Sequence, residues 1–357
     1  MINVTKTYLP SFDKYTTVLK RAWDKAWITN NGELVQELEQ KLKDYLGVKH
    51  LFFCSNGTVV LQMALKVYNI TKEVITTPFS YVATTNAIMW EGCTPVFVDI
   101  NPDDFCIDAD KIEAAITENT QAIMATHVYG YPCDVEKIEQ IAQKHNLKVI
   151  YDAAHTFGCT YKGKSLLSYG DISTCSFHAT KVFHTVEGGC IITNDDAIAT
   201  QLMLYRQFGH VNDDYFSIGL NGKNSEFHAA MGLCVLPEIE NIIRQRKIIS
   251  SVYDQGLSFL QANKSSGNDN LIYNYAYYPV LFKTETELLK VKSELLTQEI
   301  NTRRYFYPSL NKLPYLRSTN SCLVSEDIAV RVLCLPMFPE LVDELVKRIA
   351  SLIRKRI

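Results

Sequence analysis

Between residues 51 and 193 the chain alternates short apolar runs with helix-periodic segments, and no other feature limits the possible folds as much. The apolar runs fall at 51–54, 74–77, 95–99, 122–127, 148–151, 171–177 and 190–193, with helical spacing at 59–67, 83–91, 110–116 and 135–145 between them. The runs are too short for buried helices and suit strands covered on both faces. Alternation of this kind packs helices against a mostly parallel sheet, so the expected fold class is α/β. Ligands of such sheets lie beyond the carboxyl ends of the strands, so the polar residues that close each strand are the candidates for function.

The flanks read differently. Helical spacing at 14–26 and 33–45 precedes the alternating region, and helices at 195–207 and 226–235 bracket a polar, irregular stretch over 210–224. A long helix at 237–260 leads to a loop at 262–270, an apolar run at 275–282 and helices at 285–299 and 340–354. A chain of 357 residues is long enough for two cores. The expected division is a large domain over 1–240 and a smaller C-terminal α+β domain over 241–357.

Charge and cysteine usage exclude several classes. The net charge is −3 and no long Lys/Arg run occurs, which argues against nucleic acid or an anionic membrane as partner. No stretch approaches the ~18 apolar residues of a membrane helix, and residues 1–14 lack a basic region followed by an apolar core. The expectation is a soluble cytoplasmic protein. Ten cysteines are scattered through apolar segments with no C-x-x-C pair, so they are expected to be free buried thiols, with neither disulfides nor a metal site.

The strand ends hold the chemistry. Ser176 to Lys181, followed by Glu187-Gly188-Gly189, falls between the last two runs, which presents Lys181 from a turn at the lip of the sheet. An amine held against a packed core loses hydration, so its pKa falls and it becomes a nucleophile toward carbonyls. Asp152 closes a very apolar strand, where a carboxylate is costly unless paired, and Ala153-Ala154 after it leave room for something flat. Ser55-Asn56-Gly57-Thr58 links a strand to a helix, a geometry that aims backbone N–H groups at a phosphate. Pyridoxal 5'-phosphate accounts for all of these at once. It takes Lys181 for its aldehyde, Asp152 for its pyridine nitrogen, Gly57, Thr58 and Ser176 for its phosphate, and Tyr81 opposite Ala154 for its ring faces.

Six ordered motifs, SNGT, TPFSYVAT, DAAH, SFHATK, EGG and NSEFHAAMG, resemble the DegT/DnrJ/EryC1/StrS group of nucleotide-sugar aminotransferases, which share the type I fold of aspartate aminotransferase. The likeness implies that Lys181 carries the cofactor and moves the proton, that Asp152 partners the ring nitrogen, and that His155 sits near the phenolic oxygen. It further implies that Asn221 reaches the phosphate held by a neighbouring subunit, which makes the unit a homodimer with shared active sites. Tyr307 resembles a tyrosine that faces the sugar. Val182 stands where many members carry Asn, whereas lysine at 181 favours transamination over the dehydration of members that have His there.

The likeness is greatest to the branch that aminates dTDP-4-keto-6-deoxy-D-glucose at C4, with L-glutamate as donor, for surface polysaccharide. The alternatives are a 3-amino or UDP-sugar aminotransferase, and a non-catalytic regulator that retains the cofactor. Arg206, Arg303 and Arg304 have the planar fork that suits a pyrophosphate, but surface ion pairing is commoner and they stay unassigned. His127 and His178 are given no chemical step.

Overall fold

The computed structural model describes residues 1–260, 268–316 and 321–357. The seven apolar runs form one seven-stranded sheet. Its strands are β1 (His50–Cys54), β2 (Glu73–Thr76), β3 (Thr94–Phe97), β4 (Thr120–Thr126), β5 (Lys148–Asp152), β6 (Ile172–Ser176) and β7 (Gly189–Thr193). The order across the sheet is β1-β7-β6-β5-β4-β2-β3. The pairs among β2 to β6 are parallel, and β7 runs antiparallel to both of its neighbours. This is the α/β architecture with a mostly parallel sheet.

Apolar layers cover both faces, which is why the strands lack a polar alternation. On one face Ile75, Ile123, Val149 and Tyr151 pack with Val135 and Ile138 of the helix Val135–His145. On the other, Val74, Met124, Ile150 and Ile191 pack with Val60 and Met63 of Gly57–Val67 and Ile88 of Ala83–Trp90. The long helix Ile239–Leu257 passes from one core to another. Ile239 and Ile242 pack with Leu34, Leu38 and Phe53, whereas Ile249, Tyr253 and Leu257 pack with Val280, Leu288, Leu333, Val346 and Ile353.

This topology delivers Thr77, His127, Asp152 and Ser176 to one edge of the sheet, each at or just past the carboxyl end of its strand. The antiparallel β7 begins at the same edge, where Gly189 pairs with Ser176 on one side and with Cys54 on the other. A Cβ on Gly189 would stand 2.7 Å from the carbonyl of Asn56 and 2.9 Å from that of Cys175, so the strands close up only around glycine. β1 is anchored from behind. Arg206 is buried against Glu39 and donates to the Phe53 carbonyl at 3.1 Å, while Glu39 accepts the Phe53 N–H at 2.7 Å.

Three expectations need revision. The apolar run at 275–282 narrows to a strand at Pro279–Leu281, which pairs with Val332–Cys334. That second strand and the helix Leu323–Arg331 before it were not apparent in the sequence. The polar stretch over 210–224 contains a short hairpin, His210–Val211 with Asp214–Tyr215. Most of the expected loop at 262–270 lies outside the described residues. All ten cysteines are buried and unbridged. Among the described residues no helix is long and apolar enough to cross a membrane.

Candidate active site

Asp152 is the last residue of β5 and is only 6% exposed. Thr84, in the first turn of the helix Ala83–Trp90, donates its hydroxyl to Asp152 Oδ2 at 2.6 Å, and the Ala154 N–H donates to Oδ1 at 3.1 Å. The two donors satisfy the buried carboxylate and hold it in one orientation. Thr84 lies within the TPFSYVAT motif, but its role was not visible there because the two residues are far apart in the chain.

Lys181 sits on a turn that folds back on itself between β6 and β7. Phe177 N–H donates to Gly188 O at 2.8 Å, Ala179 N–H to Val186 O at 2.7 Å and Thr185 N–H to Phe177 O at 2.9 Å. The turn holds the amine inside the site. Burial lowers the Lys181 pKa below the ordinary lysine value, and the Asp152 carboxylate opposes that shift. The pair therefore sets a half-buried lysine in the field of the Asp152 carboxylate.

The turn after β1 meets the end of β6. A Cβ on Gly57 would stand 2.8 Å from Ser176 Cβ and 3.1 Å from its Oγ, so glycine permits the two segments to touch. Asn56 caps the helix Gly57–Val67, its Oδ1 accepting the N–H groups of Thr58 at 3.0 Å and Val59 at 2.9 Å. The sequence pattern pointed to backbone donors at this turn, and here the Asn56 cap takes up two of them.

The opposite wall is aromatic. His155 stacks on Phe306 with centroids 5.6 Å apart and meets Tyr277 edge-on at 4.9 Å. His155 Nδ1 accepts the Tyr129 N–H at 3.2 Å, and the Asn274 side chain holds the His155 carbonyl at 2.8 Å. Burial pushes the His155 pKa well below its usual value, and the positive charge of Lys181 adds to the shift. The ring is therefore neutral, with its proton on Nε2.

These segments enclose a cavity of about 290 Å³. Seven residues chosen from the sequence line it together: Gly57, Thr58, Tyr81, Asp152, His155, Ser176 and Lys181. The other two do not join them within this chain. Asn221 is exposed and forms an isolated β-bridge with Gln207. Tyr307 is 50% exposed, with the Arg304 guanidinium 3.5 Å from its ring centroid. The wall also contains Tyr277, Tyr305 and Phe306, which the sequence does not single out, and Arg303, which it weighs for a pyrophosphate and leaves unassigned. At the rim, His178 Nε2 lies 3.6 Å from a Glu187 carboxylate oxygen.

The chain matches the DegT/DnrJ/EryC1/StrS aminotransferase family over residues 13–354. It is 41% identical to a dTDP-4-amino-4,6-dideoxy-D-glucose transaminase of Shigella dysenteriae, across 99% of this chain and 98% of the relative. It is 34% identical to a GDP-perosamine synthase of Escherichia coli O157:H7, across 94% of each. Among solved structures, DesI in the presence of its TDP-sugar product superposes with a TM-score of 0.93 at 32% identity, covering 99% of this chain and 92% of that one.

Proposed function

The chain belongs to the DegT/DnrJ/EryC1/StrS aminotransferase family, and from that premise we propose that it moves an amino group from L-glutamate to C4 of dTDP-4-keto-6-deoxy-D-glucose, with pyridoxal 5'-phosphate as cofactor. The observation that carries this reading is the convergence of Lys181, Asp152, Gly57 and Ser176 on one cavity. The near full-length likeness to the Shigella transaminase supports the choice of sugar.

The residues present fit that cofactor. They supply a buried amine, a buried carboxylate with two donors, and a narrow end where a Cβ on Gly57 would run into Ser176. Gly57, Thr58 and Ser176 would hold the phosphate, Tyr81 would cover one ring face, and Lys181 would carry the aldehyde. The cofactor supplies an electron sink for the carbon that loses its proton. Asp152, oriented by the Thr84 hydroxyl and the Ala154 N–H, would partner the ring nitrogen of the bound cofactor. Lys181, with its pKa lowered by burial, takes a proton from the donor carbon and returns it. His155, with its proton on Nε2, would offer a donor to the cofactor's phenolic oxygen.

A homodimer with shared sites is part of the proposal. Asn221 is exposed and outside its own cavity, which suits a residue that serves the neighbouring subunit. Trp27, Ile28, Phe208, Phe216 and Ile218 are exposed large apolar side chains that an interface would cover. A cytoplasmic location and a role in O-antigen or other surface polysaccharide belong to the same reading, as does the division into domains over 1–240 and 241–357. Incubation with cofactor, L-glutamate and dTDP-4-keto-6-deoxy-D-glucose, followed by identification of the product, tests the assignment. The expected product is dTDP-4-amino-4,6-dideoxy-D-glucose. Turnover only with a 3-keto, GDP- or UDP-linked sugar would reassign the substrate within the family.

A further inference from the structure

The three arginines whose forks suit a phosphate or carboxylate have different surroundings. Arg206 is buried, bonded to Glu39 and to the Phe53 carbonyl. Arg304 pairs with Glu285 at 2.7 Å, donates to the Val330 carbonyl at 3.0 Å and lies over the Tyr307 ring. Arg303 lines the cavity that holds Lys181, and among the described residues its guanidinium has neither an ion pair nor a hydrogen bond.

Its backbone is anchored while its side chain is exposed. The Arg303 N–H donates to Cys334 O at 3.3 Å and the Arg303 carbonyl accepts Cys334 N–H at 2.8 Å, which clamps its backbone to the buried strand Val332–Cys334. The guanidinium lies 5.3 Å from the centroid of the Tyr305 ring. Burial raises the Tyr305 pKa, and the charges of Arg303 and Lys181 both act against that rise, so the phenol lies within the field of both cations. Guanidinium, phenol and amine thus all line the one cavity.

We propose that Arg303 receives anionic oxygens of the substrate through its planar fork, and so orients the substrate toward Lys181. The inference rests on the aminotransferase reading, in which both substrates bring such a group: the carboxylates of glutamate and the diphosphate of the nucleotide sugar. The clamp on Cys334 fixes the Arg303 backbone, and the Tyr305 ring flanks an exposed guanidinium whose donors are open to an incoming anion.

The test uses the cofactor-loaded enzyme and its Arg303→Gln and Arg303→Lys variants. The glutamate and keto-sugar half-reactions are followed separately, and binding of glutarate and of dTDP is measured by calorimetry. Loss of a charge-assisted bond is expected to weaken at least one arm by about 10- to 100-fold in Arg303→Gln. Arg303→Lys restores only part of the loss, because a point charge cannot make two parallel bonds. A loss confined to glutamate and glutarate assigns the donor carboxylate, one confined to the sugar and dTDP assigns the diphosphate, and a loss in both assigns a subsite used in turn.

Wild-type constants in both arms of Arg303→Gln would overturn the proposal. If that variant fails to fold, full wild-type affinity in Arg303→Lys would overturn it instead. A wild-type enzyme inert toward both substrates would sink the aminotransferase reading itself, whereas a normal wild type beside an unaltered Arg303→Gln would sink this inference alone.

Discussion

The backbone N–H of Tyr129 donates to His155 Nδ1 at 3.2 Å, which makes that nitrogen an acceptor and leaves the imidazole proton on Nε2. Tyr129 adopts a left-handed backbone conformation, φ 57°, at this point, and its hydroxyl donates to the Tyr305 carbonyl. One residue therefore sets the tautomer of His155 and ties the C-terminal aromatic wall to the sheet.

This arrangement gives a pH dependence. Burial depresses the folded-state pKa of His155 below the ordinary value of about 6.5, so the unfolded chain takes up this proton first as pH falls. His155 therefore lowers stability as pH drops below about 6.5, by up to about 1.4 kcal/mol per pH unit until its folded pKa is reached. Asp104, pushed up to about 7 by burial, acts in the opposite sense over the same window. The informative quantity is thus the difference between wild type and His155→Gln in denaturant unfolding at pH 7.5 and 5.5. The wild type should lose more stability than the variant across that interval, and equal losses would count against a neutral buried His155.

Thr84→Val should remove the 2.6 Å bond to Asp152 Oδ2 while keeping shape. A buried carboxylate that loses a donor costs about 1 to 3 kcal/mol. Transamination should fall, though less than in Asp152→Ala, and Thr84→Ser should recover most of it. Equal thermal stability and rate for wild type and Thr84→Val would show that the Ala154 N–H suffices.

Gly57→Ala places a methyl 2.8 Å from Ser176 Cβ. Overpacking of this kind costs about 1 to 3 kcal/mol, and here it falls where the cofactor phosphate is proposed to sit. Cofactor affinity, read by equilibrium titration, should drop, and the double variant Gly57→Ala, Ser176→Gly should regain part of it. An unchanged affinity in the single variant would move the phosphate elsewhere.

Glu39→Gln breaks a buried pair with Arg206, whose side chain is 4% exposed. An uncompensated buried cation destabilises by about 3 to 5 kcal/mol. The loss should extend to the segment after Arg206, because the Arg206 carbonyl accepts the Gly222 N–H at 2.9 Å next to Asn221. Hydrogen exchange over 207–224 would register it. Unchanged protection there would separate the pair from that loop.

How far the site could be read in advance follows from where its parts lie. Asp152, Ser176 and Lys181 close or follow strands, so hydrophobic periodicity alone places them at one edge of the sheet. The Thr84–Asp152 bond joins residues 68 apart, and no local pattern encodes it. Tyr277, Tyr305 and Phe306 are ordinary aromatics among 20 tyrosines and 16 phenylalanines; only packing selects them, Tyr277 and Phe306 against His155 and Tyr129, and Tyr305 against the Tyr277 and Phe306 rings. The helix Leu323–Arg331 was missed because it is short and carries charges at Glu326, Asp327 and Arg331 between its few apolar positions. Tyr307, chosen from its motif, lies under Arg304, while its neighbours Tyr305 and Phe306 line the cavity.

The central claim is that Lys181 carries pyridoxal phosphate in a site that accepts amino groups from glutamate and passes them to a keto-sugar. It is tested most directly by the visible spectrum of the cofactor-loaded protein, first with L-glutamate and then with dTDP-4-keto-6-deoxy-D-glucose, beside Lys181→Ala. The account predicts that glutamate abolishes the visible band, that the keto-sugar restores it, and that Lys181→Ala lacks the wild-type band and is slower by at least about 10² to 10⁴. A wild-type band that glutamate leaves untouched, or full turnover in Lys181→Ala, would contradict it.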